Sequence, residues 1–491
     1  MTKTIKILSS VDHTHLGILF SVLYLTFVFP AMPAVGDAAD YAASIRQGDY
    51  SIRTVHIGYN ILVSPFMMLG SWFSAKTTTI LNLLAAVCMA GAVAILHPLY
   101  LLLGCSRSIS ALACILFGTS GLIWYHAEFG EVQAMLVLLI VICLYLALRG
   151  KATWSGCLFG FTLLVSQAAA PSAICFPMIA LWRRSWGEFV KFAASSALVF
   201  VVGVAPIAQD YFWGPRGVIL SMEYYPARSV LVMVTYFLYR LVENHTIWVA
   251  WLGMGTVVSY KNLPHIFWGG VVSWSAHAWL NLRLSHIEYG FAWMPFLIVS
   301  SLMIAIGVLW AHDHKSVVMK SMGIVLPICI ALSTVLSCVL YVLPKRSDAI
   351  KLKQVVQDVK AIVRADTVLA TPHIGFVYVY ETEPEVADVW NASWQPLPNE
   401  VNSWQELMQG GRRVFVLLYR HHTHLFRRMI VDGVIGQFLL NDKKREQYRD
   451  EGAVISEIDV RESLPREFCF LTAASWEQGR LLEVVRSESC R

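Results

Sequence analysis

The chain has 491 residues, of which 56% are hydrophobic and only 14% charged, and its mean hydropathy is +0.57. That balance excludes a soluble globular domain and describes a polytopic membrane protein. The net charge of +5 is scattered without a basic tract, and the 15 His show no zinc spacing, so nucleic-acid binding is excluded too. Charge also divides the chain, because residues 344–491 hold 20 of the 38 Lys and Arg and 21 of the 33 Asp and Glu. A transmembrane part over 1–343 followed by a soluble α/β domain over 344–491 is the expected architecture.

Uncharged apolar runs lie near 16–35, 77–103, 109–125, 132–148, 152–182, 192–208, 246–260, 263–282, 289–311 and 321–343. Most approach the roughly 20 residues that a helix needs to cross hydrocarbon. The 152–182 run is too long for one span and contains Pro171 and Pro177, so it divides into two helices, the second short. The total is about eleven crossings. The first run, followed by so many others, reads as an uncleaved span and not as a signal peptide.

The run 54–75 is ambiguous, and the loop charges arbitrate, because Lys and Arg are retained on the cytoplasmic side. If 54–75 only dips into the outer interface, Arg107, Arg149, Lys151, Arg183, Arg184, Lys191, Lys261, Lys315 and Lys320 all fall inside. The N-terminus is then cytoplasmic, and nine of the twelve acids before residue 344, with the whole tail, are extracytoplasmic.

Residues 346–364 carry apolar positions at near-helical spacing, and Thr367–Thr371, Gly375–Tyr380, Arg413–Tyr419 and Ala453–Val460 are strand-like. The tail has neither a Gly-rich phosphate loop nor a nucleophile elbow. His421, His422 and His424 form its one metal-like group, for which a solvated face is the simpler account. Cys469 and Cys490 are the tail's two cysteines and can pair on an oxidising side; the other eight lie in or beside apolar runs and behave as small hydrophobes. Asn244-His245-Thr246 and Asn391-Ala392-Ser393 match the glycosylation acceptor pattern, too short a signal to carry weight alone.

The densest chemical signal is Gly36-Asp37-Ala38-Ala39-Asp40-Tyr41, just beyond the first apolar run and opening the first external loop, 36–76. Asp37 and Asp40 share one face of a helical turn at the water interface, where they can act on a lipid-borne substrate or cap a loop helix. Further along come Val55-His56-Ile57-Gly58-Tyr59, Leu81-Asn82-Leu83-Leu84, Gly104-Cys105-Ser106-Arg107 and Trp124-Tyr125-His126-Ala127-Glu128-Phe129-Gly130-Glu131-Val132-Gln133-Ala134.

In order and spacing these segments resemble the GT-C glycosyltransferases, specifically the bacterial protein O-mannosyltransferase-like members that take a sugar from a polyprenyl phosphate. The resemblance covers residues 10–185, with the family's two prolines missing from 55–59. It implies a helical membrane enzyme, inverting in the family's manner, in the bacterial inner membrane, with the tail over the site or on the acceptor. It implies Asp37 as catalytic carboxylate, supported by Asp40, with Glu131 as second acid and Glu128 beside it.

A transfer from a polyprenyl phosphate needs a base for the acceptor proton and groups that stabilise the leaving phosphate. Arg53 and Arg228 suit the phosphate, with interfacial snorkelling as the alternative. His56 suits the phosphate or the orientation of Asp37, and Tyr59 suits the sugar or lipid, with interfacial anchoring open for both. Glu128 and Glu131, one turn apart at an expected helix start, are also suited to N-terminal capping. The aromatics of 209–245, Tyr211, Trp213, Tyr224, Tyr225 and Tyr236, fit sugar stacking and a membrane belt equally.

The partners implied are a polyprenyl-phosphate sugar donor, membrane lipids and a glycan, lipid or protein acceptor. Mg2+ or Mn2+ on Asp37 and Asp40 stays open as a cofactor. The rival classes are a lipid or glycan transporter or flippase, which would carry ionisable groups at the midplane, and a non-catalytic scaffold on the same fold.

Overall fold

The computed structural model describes residues 3–28, 41, 45, 56–73, 77–128, 130, 132–213, 241, 244–245, 248–284, 294–313, 317–363, 367–371, 388–391, 408–419, 468–476 and 479–486. It divides into two compact units, Met1–Ala31 with Ser44–Val342, and Met32–Ala43 with Leu343–Arg491.

The first unit is helical. It opens with α1 (Lys3–Ser10), α2 (His13–Val28), α3 (Ile57–Trp72), α4 (Thr77–Leu102), α5 (Arg107–Gly118), α6 (Gly121–Glu128) and α7 (Val132–Leu148). It continues with α8 (Ala152–Val165), a 3-10 segment (Gln167–Ile174), α9 (Cys175–Arg183), α10 (Trp186–Val204) and α11 (Ala208–Trp213). The last members are α12 (Val249–Asn262), α13 (Pro264–Leu284), α14 (Met294–Asp313) and α15 (Val317–Ser337), which runs into a π segment (Cys338–Val342).

Among the described residues, Thr79–Leu102 and Trp186–Trp213 are each long and apolar enough to cross a membrane. The run 109–125, expected as one crossing, is the broken pair α5 and α6, bent by 62° at Thr119–Ser120. The pair passes the same test when taken together, and Ile57–Gly70, Val132–Leu148, Ala152–Val165, Leu297–Ala311 and Leu326–Ser337 are shorter apolar helices. Run 152–182 is two helices, α8 and the short α9, because the segment between them carries Pro171, which cannot continue an α ladder.

In an apolar solvent, helices gain little from burying more apolar surface and associate through close packing of small residues. Gly156 and Gly160 on α8, four apart, let α10 run parallel against it. A Cβ on Gly156 would overlap Ser195 Oγ and the Phe192 carbonyl, and one on Gly160 the Ser196 carbonyl. Gly255 on α12 and Gly307 on α14 bring those helices together in the same way, antiparallel, with Trp251 and Met303 carbonyls at the contact. Beside the first seam Phe159, Phe176 and Phe192 form a core, the last two stacked with centroids 3.8 Å apart.

The second unit packs α16 (Leu343–Ile362) on a sheet of β1 (Thr367–Thr371), β2 (Asp388–Asn391), β3 (Arg413–Tyr419), β4 (Phe468–Trp476) and β5 (Gly479–Arg486). The order is β2-β1-β3-β5-β4, parallel across the first three strands and antiparallel from β3 to β5 and β5 to β4. Its core joins Val355, Val359 and Val363 to Leu369, Phe415, Leu417 and Leu481. Trp476 Nε1 donates to Asp358 Oδ2 at 2.8 Å, and Arg413 bridges to Glu483 through two bonds of 2.7 and 2.9 Å.

The expected strands 367–371 and 413–419 are β1 and β3; 375–380, 453–460 and the histidines His421, His422 and His424 lie outside the described residues. Cys469 on β4 is disulfide-bonded, and Cys490, its expected partner, also lies outside them.

The glycine seam gives a direct test. Gly160→Leu should abolish monodisperse elution of the full chain in detergent, because backbone stands where the side chain must go. Gly187→Ala, whose Cβ meets nothing within 4 Å, should elute like the parent. Normal elution of Gly160→Leu would show that the seam does not hold α8 to α10.

Candidate active site

The site is built where helices end. Helix α6 stops at Glu128 and α7 starts at Val132, and Gly130 lies between them with its amide and carbonyl beyond any helical ladder. Both groups have partners from other elements. Asn82, buried in α4, accepts the Gly130 amide on Oδ1 at 2.7 Å, and the Tyr59 hydroxyl of α3 donates to the Gly130 carbonyl at 2.9 Å. The approach is so close that a Cβ on Gly130 would overlap Leu81 Cβ and come within 2.9 Å of the Leu81 carbonyl carbon. Only glycine fits this clamp.

The end of α8 is fixed in the same way. His56 Nδ1 meets the Val165 carbonyl at 2.9 Å, so that nitrogen must carry the proton, and in the neutral ring Nε2 is then the acceptor. The Tyr211 hydroxyl donates to the Leu163 carbonyl at 3.3 Å. Gly58 lies against the same turn, where a Cβ would stand 2.8 Å from Leu164 C and Val165 N. The short sequence His56-Ile57-Gly58-Tyr59 therefore ties α8 to the 128–132 junction.

The broken helix has its own supports. Tyr24 donates to the Gly118 carbonyl at 2.7 Å, and the Asn244 Oδ1 accepts the Leu122 amide at 3.0 Å. These are the carbonyl and amide that the break strips of helical partners. Through this bend α6 carries Glu128 to its last position, with Tyr24 within electrostatic reach.

Of the expected site residues, Tyr59 bonds the 128–132 junction that Glu128 precedes, and His56, three residues before Tyr59, bonds the end of α8 instead. Asp37, Asp40, Arg53, Glu131 and Arg228 lie outside the described residues. Glu128 is not at a helix start: it closes α6 and is only 2% exposed, so N-terminal capping does not explain it. A carboxylate at a helix C-terminus opposes the dipole and is costly to bury. Tyr59 is also buried, with its hydroxyl on backbone.

Tyr41, which closes the acidic segment, is fully buried. Asn244 is 2% exposed and spends its side chain on Leu122, so it is no glycosylation acceptor in the folded chain. Among the described residues no three His, Cys, Asp or Glu stand together as a metal group.

The residues that sequence reasoning left without a role are Asn82, Gly130, Tyr24 and Asn244. Asn82 had a signal, a lone amide inside an uncharged helix; Gly130 and Asn244 stood in segments singled out for other reasons, and Tyr24 gave no signal.

No family model and no curated protein matches the chain. Solved structures do. A crystal structure of ArnT from Cupriavidus metallidurans bound to undecaprenyl phosphate is 11% identical, with a TM-score of 0.54 over 95% of this chain and 97% of that one. The oligosaccharyltransferase of Archaeoglobus fulgidus, in complex with Zn and sulfate, is 12% identical with a TM-score of 0.53, over 95% of this chain and 72% of that one. At such identities the likeness is one of fold: the chain shares the fold of ArnT and of the archaeal oligosaccharyltransferase.

The clamp predicts coupled losses. Asn82→Ala and Tyr59→Phe should each cost about 1–3 kcal/mol of stability, since each leaves a buried backbone group of Gly130 unpaired. Their double variant should cost less than the sum. Thermal unfolding of the full chain in detergent reads this, and strict additivity would show that the two do not act on one residue.

Proposed function

We propose that the chain transfers a sugar from a polyprenyl-phosphate-linked donor to a glycan, lipid or protein acceptor at the extracytoplasmic face of the membrane. The observation that carries this is the clamped junction between α6 and α7, which holds a buried carboxylate, Glu128, and sets the start of α7 at a fixed place. A group that must meet a reacting atom needs such a rigid mount. The shared fold with ArnT, solved with undecaprenyl phosphate, supports a lipid-linked donor.

In the mechanism Asp37 removes the acceptor proton while the acceptor oxygen attacks the anomeric carbon. The bond from that carbon to the phosphate oxygen breaks with inversion, and the polyprenyl phosphate leaves with the electron pair. Arg53 and Arg228 take the phosphate oxygens, Asp40 supports Asp37, and Glu131 is the second acid. His56 and Tyr59 act as positioning residues, because His56 Nδ1 bonds the Val165 carbonyl and the Tyr59 hydroxyl the Gly130 carbonyl. If Mg2+ or Mn2+ takes part, Asp37 and Asp40 would hold it; no step above passes through an ion.

The proposed topology has about eleven crossings, a cytoplasmic N-terminus and an extracytoplasmic 344–491 domain, in the bacterial inner membrane. Two observations support the sidedness. The disulfide at Cys469 fits an oxidising compartment. The basic turns 149–151 and 183–185 touch one another through Arg183, whereas Glu128 and the end of α8 lie at the other ends of α7 and α8.

The test is transfer by the purified full chain from radiolabelled polyprenyl-phosphate sugars to cell-surface extracts. Asp37→Asn should lose at least about 100-fold in rate while remaining monodisperse. A chelator lane reports whether an ion takes part. An unchanged rate would remove Asp37 from the chemistry, and donor binding without any transfer would favour the transporter.

A further inference from the structure

The end of the helical unit away from the candidate site carries a second constellation, which the transfer reaction does not use. The turn 149–151 between α7 and α8 and the turn 183–185 between α9 and α10 are in contact. Arg183 Nη1 donates to the Ala147 and Leu148 carbonyls at 3.2 and 2.7 Å. A Cβ on Gly150 would stand 3.4 Å from Glu188 Oε1, and Ser195 Oγ bonds the Thr153 carbonyl at 3.1 Å.

Arg183 is thus spent on the α7 terminus, while Arg149, Lys151, Arg184 and Lys191 are all exposed. The acid beside these turns, Glu188 in the first turn of α10, is partly buried and accepts from Ser185 Oγ at 3.0 Å. Trp154 and Trp186, which follow the two turns, are 71% and 52% exposed.

We infer that these two turns form a seat for the phosphodiester headgroup of an anionic glycerophospholipid. Exposed Trp rings sit at the headgroup level of a bilayer, with the indole amphipathic and the ring in the acyl boundary. The flanking pair Trp154 and Trp186 therefore places Arg149, Lys151 and Arg184 at phosphate depth, with Lys191 five residues past Trp186 on α10. Arg offers two donors to one phosphate, and basic pockets between membrane helices on this side are suited to anionic headgroups. The turns cannot drift apart, because Arg183 and Ser195 cross-link them through backbone carbonyls. The seat differs from scattered loop charge in that respect: the segments that carry its cations are tied together, and the acid beside them, Glu188, is engaged by Ser185.

Native mass spectrometry of the detergent-purified full chain, titrated with phosphatidylglycerol and phosphatidylcholine, tests this. The parent should hold phosphatidylglycerol about tenfold more tightly than phosphatidylcholine. The quadruple variant R149Q/K151Q/R184Q/K191Q should lose the preference, and R149K/R184K should keep most of it. High concentrations of inorganic phosphate should not strip the lipid, since the seat also uses acyl-chain depth. Equal adducts of both lipids on the parent would overturn the inference even if the quadruple variant failed to fold. Displacement by inorganic phosphate alone would also overturn it, by reducing the seat to an anion site.

Discussion

A backbone group left without a partner inside an apolar surround is costly, and among the described residues the breaks around α5 to α8 meet that constraint with side chains from other elements. The free carbonyl of Gly118 goes to Tyr24, the Leu122 amide to Asn244, and both groups of Gly130 to Asn82 and Tyr59. At the end of α8, Leu163 and Val165 go to Tyr211 and His56. On the opposite side Arg183 serves Ala147 and Leu148, and His265, stacked on Trp182, takes the Leu103 carbonyl at 2.9 Å. Scattered polar side chains in an otherwise apolar chain are thus largely the means by which the helices are allowed to stop.

That constraint links fold to chemistry. A helix that stops inside the unit creates an end, and an end is where a polar side chain can be held away from lipid yet off the helix ladder. The bend between α5 and α6 lets α6 finish at Glu128 instead of running on as one straight span. The clamp on Gly130 then fixes where α7 begins. Because the clamp draws on α3 and α4, a change in either helix moves the junction. Rigidity at the junction is bought with glycine, which permits the contact with Leu81 and is replaced by nothing larger.

Much of the helical plan was legible because an apolar run of span length has few other meanings. The limits of α7 coincide with the run 132–148, and the prolines of 152–182 forecast its division. The bend in 109–125 was hidden, since Gly118-Thr119-Ser120-Gly121 contains no proline and its supports, Tyr24 and Asn244, lie about a hundred residues away in either direction. In the tail, β1 and β3 are dense in β-branched and large apolar residues and stood out. β4 is a sheet edge diluted by Thr472-Ala473-Ala474-Ser475, and β5 carries Glu483 for Arg413, so neither showed an apolar alternation. For the site, sequence order pointed to His56, Tyr59 and the 124–134 segment, but not to what they do. A hydroxyl that serves a backbone carbonyl 71 residues away looks the same in sequence as one that serves a sugar.

The account stands on a junction that is rigid before the donor arrives. A cryo-electron microscopy structure of the full chain with undecaprenyl phosphate measures this most directly. The account predicts Gly130 still held by Asn82 and Tyr59, with the lipid phosphate at the end of the helical unit that carries this junction. A phosphate bound elsewhere on the helical unit, or a junction that releases Gly130 when the lipid binds, would contradict it.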